Sequence, residues 1–132
     1  MTVKLNYIGI VVSDMARALA FYRSLGLPIP EDIVIERHME IDVDGLRIAW
    51  ETEALMRELN PAWTPPGGPG RIGVGVQAAS PAGVDEALAR LRAAGHAVPD
   101  AFDAPWGQRY ATVTDPDGTH VDVFAWQEGK GG

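Results

Sequence analysis

The feature that most constrains this chain is a repeated order of predicted elements. A strand, a helix that ends in glycine and a hairpin with an Asp-Gly turn occur once before a Pro/Gly-rich segment and once after it. The turns contain Asp44-Gly45 and Asp117-Gly118, and the strands after the two turns can be overlaid position by position. Because Asp-Gly favours tight turns between paired strands, each half predicts its own antiparallel hairpin. Such a chain is expected to fold as two related modules.

The first module, about residues 1–51, begins with an apolar, β-branched run that predicts a buried strand. Ser13 or Asp14 can cap the helix that follows, whose apolar residues recur at helical spacing, and Gly26 ends it. The predicted elements are a strand at Leu5–Val12, a helix at Met15–Leu25 and strands at Ile33–Ile35, Met39–Val43 and Leu46–Glu51.

A linker at residues 52–70 separates the modules. Its first part, up to Leu59, could form a short helix, whereas the run PAWTPPGGPG breaks helix and sheet alike. The second module, about residues 71–126, has a helix that begins at Ser80-Pro81 and ends at Gly95. Its predicted strands are Arg71–Gln77, a strand near Ala97–Val98, Arg109–Thr114 and Thr119–Trp126.

These elements predict an α+β fold in one domain that spans residues 1–132. Two βαβββ modules would build a curved, mixed-sheet cup around a shared cleft, with the amphipathic helices outside. A length of 132 residues and a hydrophobic content of 46% suit a single domain with a real core.

Charge and composition exclude several classes of partner. The net charge of −7 disfavours nucleic acid and anionic membrane surfaces, since both would repel the chain. The absence of cysteine rules out disulfides and thiolate metal sites. The first residues lack an export signal, and no apolar run is long enough to span a bilayer, so we expect a cytoplasmic protein.

Two motifs in order resemble the glyoxalase/bleomycin-resistance/extradiol-dioxygenase superfamily, also called the vicinal oxygen chelate proteins. They are NYIGIVVSDMARALAFYRSLGL near the start and WGQRYATVTDPDGTHVDVFA near the end, so that the resemblance covers almost the whole chain. The resemblance implies paired βαβββ modules that assemble as a homodimer. We expect a homodimer with a large, mainly apolar interface.

Metal-dependent members of this superfamily hold a divalent ion with His, Glu or Asp on the first and last strands of each module. Carried over by resemblance, those positions are Tyr7, Ala49, Arg71 and Asp122. Alanine offers no ligand atom, and a permanently cationic arginine would repel the ion. We therefore expect no bound metal and no other cofactor.

A rebuilt site stays open as an alternative, because His120 and Asp122 share one face of a strand and His38 could join them. The plainer interpretation makes these three polar residues of the cleft or its rim. No nucleophile elbow is present, and the glycine-rich segment lacks the lysine and helix of a phosphate-binding loop.

The predicted cleft suits an organic ligand, because it combines apolar side chains with a few polar groups. Trp63 and Trp106 lie in loops, where they either stack on a flat ligand or anchor their loops, and Tyr110 is a further candidate. Trp50 is expected in the core, and Trp126 is expected to seal the edge of a sheet. The predicted ligand-binding residues are Tyr7, His38, Arg47, Glu51, Trp63, Trp106, Tyr110, His120, Asp122 and Phe124.

The function predicted from these observations is metal-independent binding of a small molecule. The resemblance to antibiotic-binding members points to sequestration of a planar aromatic antibiotic, of the bleomycin, mitomycin or enediyne type, for drug resistance. Catalysis is not the expected activity, and no catalytic residue is assigned. The alternative is a glyoxalase-like lyase, isomerase or dioxygenase with a rebuilt metal site or an acid/base site at Glu51, Asp122 or His120.

Overall fold

A computed structural model describes residues 3–68, 70 and 72–129. The fold is α+β, as predicted, with two mixed sheets and three helices in the described residues. The elements are β1 (Ile8–Val12), α1 (Met15–Leu25), β2 (His38–Val43), β3 (Leu46–Thr52), α2 (Glu53–Leu59), β4 (Val74–Gln77), α3 (Pro81–Ala93), β5 (Phe102–Ala104), β6 (Gln108–Thr114) and β7 (His120–Trp126).

Sheet 1 has the strand order β1-β3-β2, with β1 parallel and β2 antiparallel to β3. The predicted hairpin is confirmed: Asp44 and Gly45 have φ angles of 50° and 85°, the positive values that a tight two-residue turn requires. One face of the sheet carries buried apolar side chains, and there the Trp50 ring packs 5.3 Å from the Tyr22 ring of α1. Trp50 is fully buried, so its expected core position is confirmed.

Sheet 2 has the order β4-β7-β6-β5, which completes a βαβββ module with α3. The helix begins as predicted, because the Ser80 side chain accepts a hydrogen bond from the backbone N–H of Gly83 at 3.1 Å. Alternate residues of β6 and β7 are buried on the face that α3 covers. The buried side chains of this core are Val84, Ala87, Leu88, Leu91, Ala111, Val113, Val121, Val123 and Ala125.

The chain divides into two compact units. The first holds the described residues up to Arg23 together with Leu27–Pro66, and the second holds Ser24–Gly26 and the described residues from Gly67 onward. The boundary between Pro66 and Gly67 falls inside the predicted linker. No helix of the described chain is long and apolar enough to cross a membrane.

Two predicted strands are wrong. Residues 33–35 form no strand, so that the first module has βαββ order within the described residues. The segment around Ala97–Val98 is also irregular, and the corresponding strand is Phe102–Ala104. In both places none of the described strands pairs with the segment, and a short apolar segment forms a strand only when it is paired.

The predicted boundaries of other strands shift. The first strand begins at Ile8 rather than Leu5, and β4 begins at Val74, whereas Arg71 lies outside the described residues. Trp126 does not seal a sheet edge, because β7 lies between β4 and β6. The last strand in the sequence is thus a central strand of sheet 2.

Candidate functional site

Each sheet has a second face, opposite its buried core, and the predicted ligand-binding residues lie mostly on these two faces. Side chains alternate along a strand, so residues two apart share a face, as do partners in register. We call these surfaces the polar face of sheet 1 and the aromatic face of sheet 2. The cleft expected between the two modules stays a prediction.

The polar face carries side chains of β2 and β3 beside the glycine of β1. Register pairs His38 with Glu51, Glu40 with Ala49 and Asp42 with Arg47, while Gly9 lies beside Ala49. Tyr7 precedes β1, and its ring centroid is 6.5 Å from that of His38 in an edge-on arrangement. Of the predicted residues, this face brings together Tyr7, His38, Arg47 and Glu51.

Charged neighbours fix the outer part of the polar face. His38 Nε2 is 3.0 Å from Glu40 Oε2, and the guanidinium of Arg47 is 3.6 Å from Glu40 and 3.7 Å from Asp42. The hydrogen bond with His38, helped by the charge of Arg47, lowers the pKa of Glu40 below its ordinary value. Arg47 is therefore engaged by two carboxylates on its own sheet.

Glu51 differs from these charged neighbours. A Cβ atom built on Gly9 would lie 3.2 Å from Glu51 Oε1 and 3.4 Å from the Tyr7 ring, so the missing side chain leaves room for this carboxylate. Glu51 is half-buried, and residues 3–68, 70 and 72–129 show no hydrogen bond or ion pair to it. This carboxylate is thus available to a ligand.

Trp63 lies in the loop between α2 and β4. It follows α2, where its backbone N–H donates to the Asn60 carbonyl at 2.9 Å. The guanidinium of Arg57 lies 5.6 Å from the ring centroid, a cation–π arrangement that holds the indole against the helix. The structure therefore favours the loop-anchoring interpretation of Trp63 over the ligand-stacking one.

The aromatic face of sheet 2 is built by β5, β6 and β7. Register places Tyr110 between Phe102 and Phe124, and places Thr112 opposite Asp122. The ring centroids of Phe102 and Tyr110 are 5.7 Å apart, and those of Phe124 and Trp126 are 6.5 Å apart, both nearly perpendicular. Edge-to-face contacts at these distances are favourable, so each pair of rings is stabilised on this face.

Trp106 joins this surface from the turn between β5 and β6. Its ring centroid is 5.5 Å from that of Tyr110, and its Nε1 donates to Gln108 Oε1 at 2.7 Å. Gly107 follows with a φ of 98°, a conformation that suits glycine and makes the turn possible. The residue is nevertheless 55% exposed, so much of the indole surface remains available for contact.

A polar group borders the rings. The Thr112 hydroxyl donates to Asp122 Oδ1 at 2.8 Å. The hydrogen bond with Thr112 lowers the pKa of Tyr110, but burial and the Asp122 carboxylate raise it by more, so this pKa lies above its ordinary value. The Tyr110 hydroxyl therefore keeps its proton at neutral pH. His120 is exposed at the end of the same strand face, opposite Thr114.

Sequence reasoning missed several residues of these faces. Glu40 and Asp42 lie two and four residues after His38 on the same strand face. In the same way, Thr112 lies two residues after Tyr110, and Trp126 lies two residues after Phe124. The period-two pattern would have located them once the strand face was chosen. Phe102 and Gln108 carry no such signal, because the sequence did not locate β5 or the start of β6.

The residues at the superfamily's metal positions do not fit a divalent ion. Ala49 is fully buried and has only a methyl group, so that Asp122 is the one carboxylate among these positions. Arg71 lies outside the described residues. Within the described part of the chain, no group of three or more His, Asp and Glu side chains could hold a metal ion.

Comparison with known proteins agrees with the fold. The family model of the Glyoxalase/Bleomycin resistance protein/Dioxygenase superfamily matches residues 4–123. The chain belongs to this superfamily. None of the curated proteins matches the chain.

Several solved structures resemble the chain over nearly its whole length. A glyoxalase/bleomycin resistance protein/dioxygenase from Nocardioides is 27% identical, with a TM-score of 0.71, and the match covers 100% of this chain and 89% of that one. The hypothetical protein SA1046 from S. aureus gives a TM-score of 0.78 at 17% identity, with 95% of each chain covered. A lactoylglutathione lyase from Agrobacterium tumefaciens gives 0.66 at 21% identity, with 92% of each covered.

Proposed function

We propose that this superfamily member binds a planar aromatic small molecule without a metal ion and sequesters it, in the cytoplasm, as a drug-resistance protein. Antibiotics of the bleomycin, mitomycin or enediyne type are the proposed ligands. The observation that carries the proposal is the aromatic face of sheet 2, where Trp106 is 55% exposed although its ring contacts Tyr110. A large, half-exposed ring beside other rings is typical of a surface that receives a flat ligand.

The electrostatics of the face favour binding of a neutral or cationic ring system over an anion. Apart from the exposed His120, the described side chains of this face contribute rings, hydroxyls, the amides of Gln77 and Gln108, the Ala104 methyl group and one carboxylate. Apolar contact with the rings would supply most of the binding free energy, at about 25 cal/mol per Å² of surface removed from water. The polar groups would orient the ligand.

Tryptophan fluorescence tests the proposal directly. We expect a bithiazole or acridine probe to quench the emission of the protein in a saturable way, and Trp106→Ala to weaken the binding. Trp63→Ala is the matched control, since that indole is held by Arg57 and should not affect affinity. Expression of the chain in a sensitive bacterium should raise the drug concentration needed for killing. Equal affinity of wild-type protein and Trp106→Ala would contradict the proposal.

We further propose that the protein is a homodimer, as the resemblance to its superfamily implies. Exposed apolar side chains support the proposal, and among them are Val3, Leu5 and Ile72, which are 76%, 81% and 74% exposed in the single chain. Such side chains commonly become buried in an apolar interface. Light scattering at micromolar concentration should give twice the mass of one chain. A mass equal to that of one chain would refute the dimer.

Acid/base catalysis is the second candidate, and it rests on the polar face of sheet 1. The half-buried Glu51 carboxylate beside Tyr7 has no partner within residues 3–68, 70 and 72–129, which suits a general base. Glu51→Gln should then abolish turnover and leave binding on the aromatic face unchanged. Metal analysis of protein purified without added metal separates this candidate from a rebuilt metal enzyme, which would carry about one equivalent per chain.

A further inference from the structure

Asp122 lies on the aromatic face with one of its oxygens already fixed. Thr112, its register partner on β6, donates a hydrogen bond to Oδ1, and the protonated Tyr110 hydroxyl lies next to both. Two hydroxyl neighbours hold the carboxylate in one orientation but leave its charge in place, because neither neighbour is a cation. The face therefore presents a carboxylate with a defined direction.

The positive charges of the described part of sheet 2 do not reach this carboxylate. Within residues 3–68, 70 and 72–129, no Lys, Arg or His nitrogen lies within 4.0 Å of Asp122. Arg109, on the neighbouring strand, projects toward α3, where its guanidinium is 2.9 Å from Asp85 and 3.2 Å from Asp103. The negative charge on the aromatic face is thus not compensated by the described residues.

Space for a ligand group lies next to the carboxylate. Gly75 on β4 is the register partner of Asp122 on its other side. Among the described residues, a Cβ atom built there would meet only the Phe124 ring, at 3.8 Å. Phe124 follows Asp122 by two residues on the same face, about 7 Å away along the strand. A group seated beside Asp122 would therefore also lie against aromatic rings.

We infer that the ligand of this face is an aromatic cation: a planar ring system with a positively charged nitrogen that donates a hydrogen bond to Asp122. The inference rests on the proposed binding function and specifies the ligand class. A carboxylate supplies a charge-assisted hydrogen bond, and aromatic rings attract a cation through their negative faces. An anionic ring system would be repelled by the same carboxylate.

Three acridine probes of matched shape test the inference: 9-aminoacridine, which is cationic at neutral pH, acridone, which is neutral, and acridine-9-carboxylate, which is anionic. Affinities are measured by fluorescence titration of the full-length protein. We expect the cation to bind about tenfold more tightly than the neutral probe, the magnitude typical of a charge-assisted hydrogen bond at a half-buried site. The anion should bind most weakly.

The variant Asp122→Asn keeps the shape and an acceptor for Thr112 but removes the charge, so it should bind the cation and the neutral probe with similar affinity. The control variant Glu86→Gln removes one negative charge from the exposed side of α3. It should still bind the cation more tightly than the neutral probe. Thermal denaturation checks that both variants are folded. A preference that survives in Asp122→Asn would overturn the inference.

The remaining outcomes separate the inference from the proposed function. If the cation and the neutral probe bind wild-type protein equally and Trp106→Ala weakens both, the charge preference is refuted and the aromatic binding site stands. If no probe binds, or if Trp106→Ala leaves all affinities unchanged, both the inference and the proposed function fail.

Discussion

Replacement of Trp106 by alanine removes the most exposed ring of the aromatic face. The indole contacts Tyr110 on one side, donates to Gln108 and leaves the residue 55% exposed. A tryptophan side chain has about 250 Å² of surface to bury, so roughly 130 Å² remains for a ligand. A flat ligand that covers one side of the ring would remove about half of that area from water.

The expected loss of affinity follows from this area. About 65 Å² at 25 cal/mol per Å² corresponds to roughly 1.6 kcal/mol. The ring–ring contact adds about 0.5–1.5 kcal/mol. The total of about 2–3 kcal/mol corresponds to a dissociation constant raised about 30- to 150-fold. Loss of the contacts with Tyr110 and Gln108 costs about 1–2 kcal/mol of folding free energy, which a typical domain tolerates.

The assay is a fluorescence titration of an acridine probe against wild-type protein, Trp106→Ala and Trp106→Phe, with urea denaturation of each. Phenylalanine keeps a ring but loses the hydrogen bond to Gln108, so it should recover a large part of the affinity. The reasoning is refuted if alanine changes the dissociation constant less than about threefold for a probe that binds this face. It is also refuted if phenylalanine and alanine weaken binding equally.

Three further predictions concern sheet 2. Asp115 is 4% exposed and accepts hydrogen bonds from two backbone N–H groups of its turn, at 2.9 and 2.8 Å. Asp115→Ala should lower the free energy of unfolding in urea by about 2–4 kcal/mol, and Asp115→Asn by less. The pKa of Tyr110 is raised in the folded chain. The folded chain therefore retains a proton that the unfolded chain loses at about pH 10. The free energy of unfolding should fall as the pH rises through the folded pKa. Asp122→Asn should lower that pKa in a spectrophotometric titration, and an unchanged value would contradict the assigned cause. Gly75→Val should leave thermal stability unchanged or higher, because valine suits a strand, yet weaken probe binding; unimpaired binding would show that this space is not used.

The residues that could be located from sequence are those with strong local signals. Asp-Gly fixes the β2–β3 hairpin because its backbone accepts the positive φ angles seen at Asp44 and Gly45. Ser80-Pro81 fixes the start of α3 because the serine side chain satisfies a free N–H and proline at the first turn loses no hydrogen bond. The repeated order of such signals determined the α+β class.

Sequence also divided the strand residues between two faces, since alternation is a local property. Asp122 and Phe124 were both predicted to bind the ligand, and the register of β6 and β7 puts them on the face opposite the buried core. Trp50 was placed in the core for the same reason. Alternation does not say which neighbouring strand lies beside each residue.

Only the tertiary structure decided which strands pair and which side chains contact one another. The strand predicted at residues 33–35 is absent and β5 forms at Phe102–Ala104, because pairing with a neighbouring strand, rather than local propensity, decides where a short strand forms. Trp63 lies against Arg57, whereas Trp106 lies against Tyr110, although both belong to loops that contain proline and glycine. The sequence by itself determined the modules and their turns. Long-range contacts determined which rings and charges meet, because such contacts depend on strand order and register, which no local pattern encodes.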